Sequence, residues 1–192
     1  MTPRPAFAQA GVTLAEMLVV CAVIGMTAAI AIPQAASLTP AAADAVASEI
    51  AQAIRFAQRE AIRTGAYQQV SVDPATQELR VYQANDSTGV TAIHPVDKRD
   101  YKISFAGNAM PRATIVSAVF KYEGGPTTNF ISFGPDGAPS YVDPNKLTQL
   151  FNQLLLGAKQ IDPMKEEGKI TIRYGAAERV VRVTPVTGRV TF

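Results

Sequence analysis

Gly11-Val12-Thr13-Leu14-Ala15-Glu16-Met17-Leu18 opens an apolar run that continues without another charge to Ile32. From Val12 onward roughly 20 residues are apolar or small, about the length a helix needs to cross the hydrocarbon core of a bilayer. One carboxylate, Glu16, lies inside the run. At such a position a charge costs about 2.5–3.5 kcal/mol on insertion scales, so it needs a partner or a function. Ahead of the run is a short leader that carries Arg4 and no acid. A secretory signal is one reading of this order, but its apolar core is usually about 7–15 residues with a small-x-small cut after it. A plain anchor is another. It tolerates an acid near its end by snorkelling and does not require a glycine immediately before it.

A basic stub, a glycine, a cut and then a retained hydrophobic segment make up the prepilin type of leader. On these residues the chain resembles the type IV pilin and type II secretion pseudopilin superfamily. The resemblance implies peptidase cleavage between Gly11 and Val12, which leaves Glu16 as the fifth mature residue and Pro33 as a helix kink. It also implies N-methylation of Val12, where the family usually carries Phe. Cleavage frees an ammonium on Val12 one helical turn from Glu16, and an acid in the first turn is favoured by the helix dipole. Between chains, the resemblance implies that Glu16 of an incoming subunit meets the Val12 ammonium of its neighbour and sets the register of assembly.

Beyond Pro33 the helical pattern resumes. Thr39-Pro40 reads as an N-cap with proline at the first helical position. Val46, Ile50, Ile54, Ala57 and Ala61 recur at spacings of three and four, with Glu49, Gln52, Arg55, Arg59 and Arg63 elsewhere on the surface. Gly65 is the stop. The spacing predicts one long helix, bent or loosened near Pro33 and Pro40, whose second half needs a sheet over its apolar stripe. From Tyr67 the period becomes two. Gln68–Val72 and Glu78–Gln83, split by Asp73-Pro74-Ala75-Thr76, read as a hairpin. Further strands are expected at Lys102–Phe105, Thr114–Tyr122, Asn129–Phe133, Lys169–Tyr174, Glu178–Pro185 and Gly188–Phe192. The stretch from Asn85 to Arg99 has no period. Asp143-Pro144 followed by Leu147, Leu150, Phe151, Leu154 and Leu155 predicts a short amphipathic helix at about 144–156.

Three segments extend the resemblance to the GspH/FimT branch: Ala57-Gln58-Arg59-Glu60-Ala61-Ile62-Arg63-Thr64-Gly65, Phe133-Gly134-Pro135-Asp136-Gly137 and Val183-Thr184-Pro185-Val186-Thr187-Gly188-Arg189-Val190. The resemblance implies a pilin-like α+β fold: a long N-terminal helix, transmembrane in its first half, packed on an antiparallel β domain. Its parts are a leader at 1–11, a membrane helix at 12–32, an amphipathic helix at 33–65 and a periplasmic domain at 66–192. The implied role is a minor pseudopilin of a type II secretion system, anchored in the inner membrane and assembled into a periplasmic filament. Its implied partners are other pilins or pseudopilins, the prepilin peptidase and secreted substrate. The alternatives are a minor type IV pilin serving pilus assembly or DNA uptake, and a β domain that binds a ligand on a plain anchor.

For DNA the candidate residues are Arg179, Arg182 and Arg189. DNA-binding members end in Gly-Arg-x-Arg, and here Gly188-Arg189-Val190-Thr191 lacks the second arginine. Arg179 and Arg182 alternate to opposite faces of one strand, which argues against a single clamp. Net charge is +2, so nothing global calls for a polyanionic partner. The lone Cys21 excludes an intrachain disulfide, and the lone His94 excludes a histidine metal cluster or a serine–histidine–aspartate set within one chain. No phosphate loop or dinucleotide fingerprint occurs. The acids Asp136, Asp143, Asp162, Glu166 and Glu167 fit no calcium loop. The sequence therefore predicts no enzyme, no cofactor and no resident metal.

Overall fold

The structure is a computed structural model that describes residues 13–84, 90–96, 98–106, 112–141 and 162–192, without the side chains of residues 28–38. Gly11, Val12, the rest of the leader and the helix expected at 144–156 lie outside the described residues. The chain divides into two compact units, Met1–Leu38 and Thr39–Phe192.

Helix α1 (Leu14–Thr64) contributes to both units. It begins on a cap: Thr13 Oγ1 accepts the Glu16 N–H at 3.3 Å, and the Thr13 carbonyl accepts the Met17 N–H at 3.2 Å. The Thr39-Pro40 N-cap expected from the sequence does not form. Both residues lie within α1, because the helix arrives from upstream and proline restricts only the turn before it. The helix ends at Gly65, whose N–H bonds to the Ala61 carbonyl at 3.0 Å.

Within Thr39–Phe192 the described residues form twelve strands in two antiparallel sheets. In the first, β1 (Gln68–Asp73) pairs with β2 (Glu78–Gln83) in the expected hairpin, with Val70 opposite Val81. β3 (Val90–Thr91) and β4 (Lys102–Ser104) both join β2, and β7 (Phe130–Phe133) takes the other side of β1. β8 (Pro139–Tyr141) and β9 (Asp162–Pro163) extend that side. The second sheet has the order β12-β11-β10-β5-β6. It comprises β5 (Ala113–Lys121), β6 (Thr127–Thr128), β10 (Gly168–Tyr174), β11 (Ala177–Val183) and β12 (Val190–Thr191). The strands absent from the sequence reading, β3, β6, β8 and β9, have two or three residues each, too short to display an alternation.

One core joins the helix to both sheets. Ile50, Ile54, Ala57 and Ala61 are fully buried with Val70, Val81, Ile131 and Phe133 of the first sheet and Ile170, Ile172 and Val181 of the second. Ala43, Ala47, Ala51 and Ala53 widen the buried face beyond a single stripe. Their small side chains let the helix axis approach two layers at once.

Gln77 stitches the sheets together. Its amide oxygen accepts the Ile115 N–H at 2.7 Å and its amide nitrogen donates to the Ile115 carbonyl at 2.9 Å, so the hairpin turn of the first sheet imitates a strand on β5 of the second. The β5–β10 register shifts opposite Thr171/Ile172, beside this contact. Gln77→Ala leaves both buried Ile115 groups unpaired and is expected to cost about 2–3 kcal/mol in denaturant unfolding.

Tyr101 is nearly buried beside Phe56 of α1, with ring centroids 4.9 Å apart. Burial, then the nearby charge of Glu49, pushes its hydroxyl up to about 12. The unfolded phenol titrates near ~10. The folded value is the higher one, so this contribution is whole below about pH 10 and is lost as pH rises toward about 12. Tyr101→Phe is expected to flatten that alkaline loss in a pH series of thermal melts.

Candidate assembly helix and motif junction

Among the described residues, nothing packs on the helix between 13 and 27 in the first unit. Every described side chain from 13 to 27 is exposed, Leu14 to 84 % and Met26 to 70 %. The large apolar groups do not form one stripe. Leu18, Val19 and Val20 are consecutive and each turns about 100° from the last, so the surface is apolar on several sides. A helix apolar all round belongs among other helices or in lipid. Among the described residues no helix is long and apolar enough to cross a membrane. Of the run expected to do so, Val12 and the side chains of residues 28–32 lie outside the described set.

Polar groups in this segment are satisfied locally, with one exception. Thr27 donates its hydroxyl to the Ile24 carbonyl at 2.9 Å, and the Thr13 hydroxyl oxygen is taken up by the cap. Glu16 is the only charged residue between Arg4 and Asp44. Its backbone N–H is capped, while its carboxylate has no partner among the described residues. Thr13 escaped the sequence reading, although Thr13-x-x-Glu16 has the spacing of a capping box.

In the second unit the three GspH/FimT-like segments meet at one side chain. Gln58 of α1 donates to the Gly137 carbonyl at 2.8 Å and to the Thr187 carbonyl at 2.9 Å. The Phe133–Gly137 turn and the turn before β12 are thus fastened to the same amide. Both turns fit closely: a Cβ at Gly137 would lie 2.8 Å from Ile62 Cδ1, and one at Gly188 would lie 2.7 Å from Gln58 Nε2. The sequence reading gave Gln58 no role of its own, yet it stands four residues after Ile54 and three before Ala61. A polar residue inside an apolar stripe was the available signal.

The three arginines of the DNA reading are not gathered into one surface. Arg179 donates to Asp44 of α1 at 2.5 Å, and that hydrogen bond with the attendant charge raises its already high pKa. Arg182 pairs with Glu167 at 2.9 Å, three residues further along β11 and so on the other face. Arg189 lines a cleft with Arg55, Gln58, Val190, Thr191 and Phe192. No group of three metal-ligating side chains occurs among the described residues.

The family model described as "Type II transport protein GspH" matches residues 46–187, about three-quarters of the chain. The chain belongs to the GspH family. The match takes in Gln58, the Phe133–Gly137 turn and Thr187, and ends just before Gly188. Among curated proteins none matches. Two structures of the minor pseudopilin EpsH from the type II secretion system of Vibrio cholerae are similar to this GspH-family chain. One is 15 % identical with a TM-score of 0.46, covering 78 % of this chain and 94 % of EpsH. The other is 14 % identical with a TM-score of 0.47, covering 79 % and 93 %. The type IV minor pilin FimU of Pseudomonas aeruginosa is 15 % identical with a TM-score of 0.43, covering 78 % of this chain and 87 % of FimU.

Proposed function

We propose that this GspH-family chain is a minor pseudopilin, a subunit that assembles into the periplasmic pseudopilus of a type II secretion system and helps initiate or cap it. The observation that carries the reading is the exposed apolar helix of residues 13–27 with its one unpartnered carboxylate. Such a surface is costly for a chain alone in water and becomes an asset when sister helices and lipid cover it.

In this reading the leader keeps Arg4 on the cytoplasmic side, in line with the positive-inside rule. The prepilin peptidase cuts between Gly11 and Val12, and Val12 is N-methylated. Residues 12–32 cross the inner membrane. Pro33 loosens the helix where it leaves the lipid, by removing one backbone donor. The Thr39–Phe192 unit then faces the periplasm, where it meets neighbouring subunits and exported protein. Role and chemistry are those of assembly, with neither cofactor nor catalytic residue involved.

Deleting the gene in its host and restoring it on a plasmid tests the reading. Type II cargo is expected to stay in the periplasm in the deletion strain and to be exported again on restoration. Unchanged export together with lost pili or lost transformation would instead assign the chain to a type IV pilus. DNA uptake is the weaker reading, because Asp44 and Glu167 already occupy Arg179 and Arg182. It requires salt-sensitive DNA binding that Arg189→Ala abolishes. A ligand-binding domain on a plain anchor requires indifference to both the peptidase and Glu16.

A further inference from the structure

We infer that the cleft between helix α1 and strand β12 binds an acidic side chain of a protein partner. The cleft encloses about 540 Å³ and is lined by Arg55, Gln58, Arg189, Val190, Thr191 and Phe192. Of the six lining side chains two are guanidiniums and none is acidic. On the second sheet Arg173 pairs with Glu178, Arg179 with Asp44, Arg182 with Glu167 and Lys121 with Glu166. Neither Arg55 nor Arg189 has an acidic partner among the described residues.

Arg55 is also held in place. One of its terminal nitrogens donates to the Val190 carbonyl at 3.0 Å, on the side of β12 away from β11. A guanidinium offers five donors, so this bond holds the group at the cleft and leaves other donors for a ligand. An anchored guanidinium loses little freedom when it takes a ligand. Arg189 brings the second charge, on a residue whose backbone is fixed by the Thr184 N–H at 2.9 Å. Two arginines lining one cleft supply the charge-assisted donors that a carboxylate takes up.

The walls select among anions. Phe192 lines the cleft and is about half exposed, which offers a surface for an apolar neighbour of the bound acid. A nucleic-acid backbone would need a track of several cations, and the arginines that could extend one are occupied. A glutamate or aspartate flanked by apolar residues on another protein satisfies both features. The inference does not depend on which machine the chain serves.

The test is an NMR titration of the full chain in detergent micelles, following the amides of Val190, Thr191 and Phe192. The probe is a capped leucine–glutamate–leucine tripeptide, with its glutamine counterpart and a DNA duplex as competing arms. A saturable shift with the glutamate peptide alone is expected. Arg189→Gln is expected to weaken it about tenfold or more, the effect of losing a charge-assisted hydrogen bond. Arg189 makes no side-chain contact needed by the fold, so this variant keeps its melting temperature; Arg55→Gln serves as the second variant. No saturable shift, equal shifts with the glutamine peptide, or a DNA duplex that displaces the glutamate peptide would each overturn the inference.

Discussion

Gly188→Val is expected to lower the unfolding free energy by about 3 kcal/mol, measured by denaturant unfolding of the full chain in detergent. Two effects add. Gly188 has φ +65, a conformation that costs an L residue roughly 1–2 kcal/mol and a β-branched one more. The new Cβ would also lie 2.7 Å from Gln58 Nε2 and 2.8 Å from the Phe133 ring. Neither neighbour yields readily: Phe133 is fully buried, and the Gln58 amide is committed to the Gly137 and Thr187 carbonyls. Overpacking of this kind costs about 1–3 kcal/mol. The same turn supplies its own control. Val186 is exposed and has φ +70, so Val186→Gly is expected to stabilise by several tenths of a kcal/mol or more. Opposite signs from two substitutions two residues apart would fix the cause as the junction geometry, and an unchanged midpoint for Gly188→Val would refute it.

Glu16→Leu is expected to leave membrane insertion intact, or improve it, while abolishing incorporation into the filament. Removing the carboxylate relieves about 2.5–3.5 kcal/mol of insertion cost. In the proposed assembly it also deprives a neighbour's Val12 ammonium of its partner, and an uncompensated charge in an apolar setting costs on the order of 3–5 kcal/mol. That is a loss of more than a hundredfold in association. Crosslinking to sister subunits in isolated membranes reads this directly. A Glu16→Leu subunit that crosslinks as well as the wild type would show that the carboxylate has another role.

The parts of the fold legible in the sequence were those with a long period. Val46, Ile50, Ile54, Ala57 and Ala61 announced one helix face, and the hairpin of β1 and β2 followed from alternation and the Asp73-Pro74 turn. What escaped was set by contacts between distant residues. Nothing near Gln77 says that its amide will meet Ile115, thirty-eight positions away. Pairs such as β8 with β9 are fixed by sheet edges and carry no local pattern. Thr39-Pro40 misled for a related reason: a capping dipeptide is a local signal, and a helix already under way upstream overrode it. At the candidate site Glu16 stood out from sequence alone, because a lone acid in an apolar run is conspicuous without any structure. The meeting of Gln58 with both glycine turns was not visible, since it needs the fold to bring α1, Gly137 and Thr187 together.

The N-terminal mass of the protein extracted from membranes, with and without the prepilin peptidase, tests the central claim most directly. The account predicts a chain that starts at Val12 with one added methyl group, and an unprocessed chain when the peptidase is missing. An intact Met1 in both strains, or a start beyond Ile32, would contradict it.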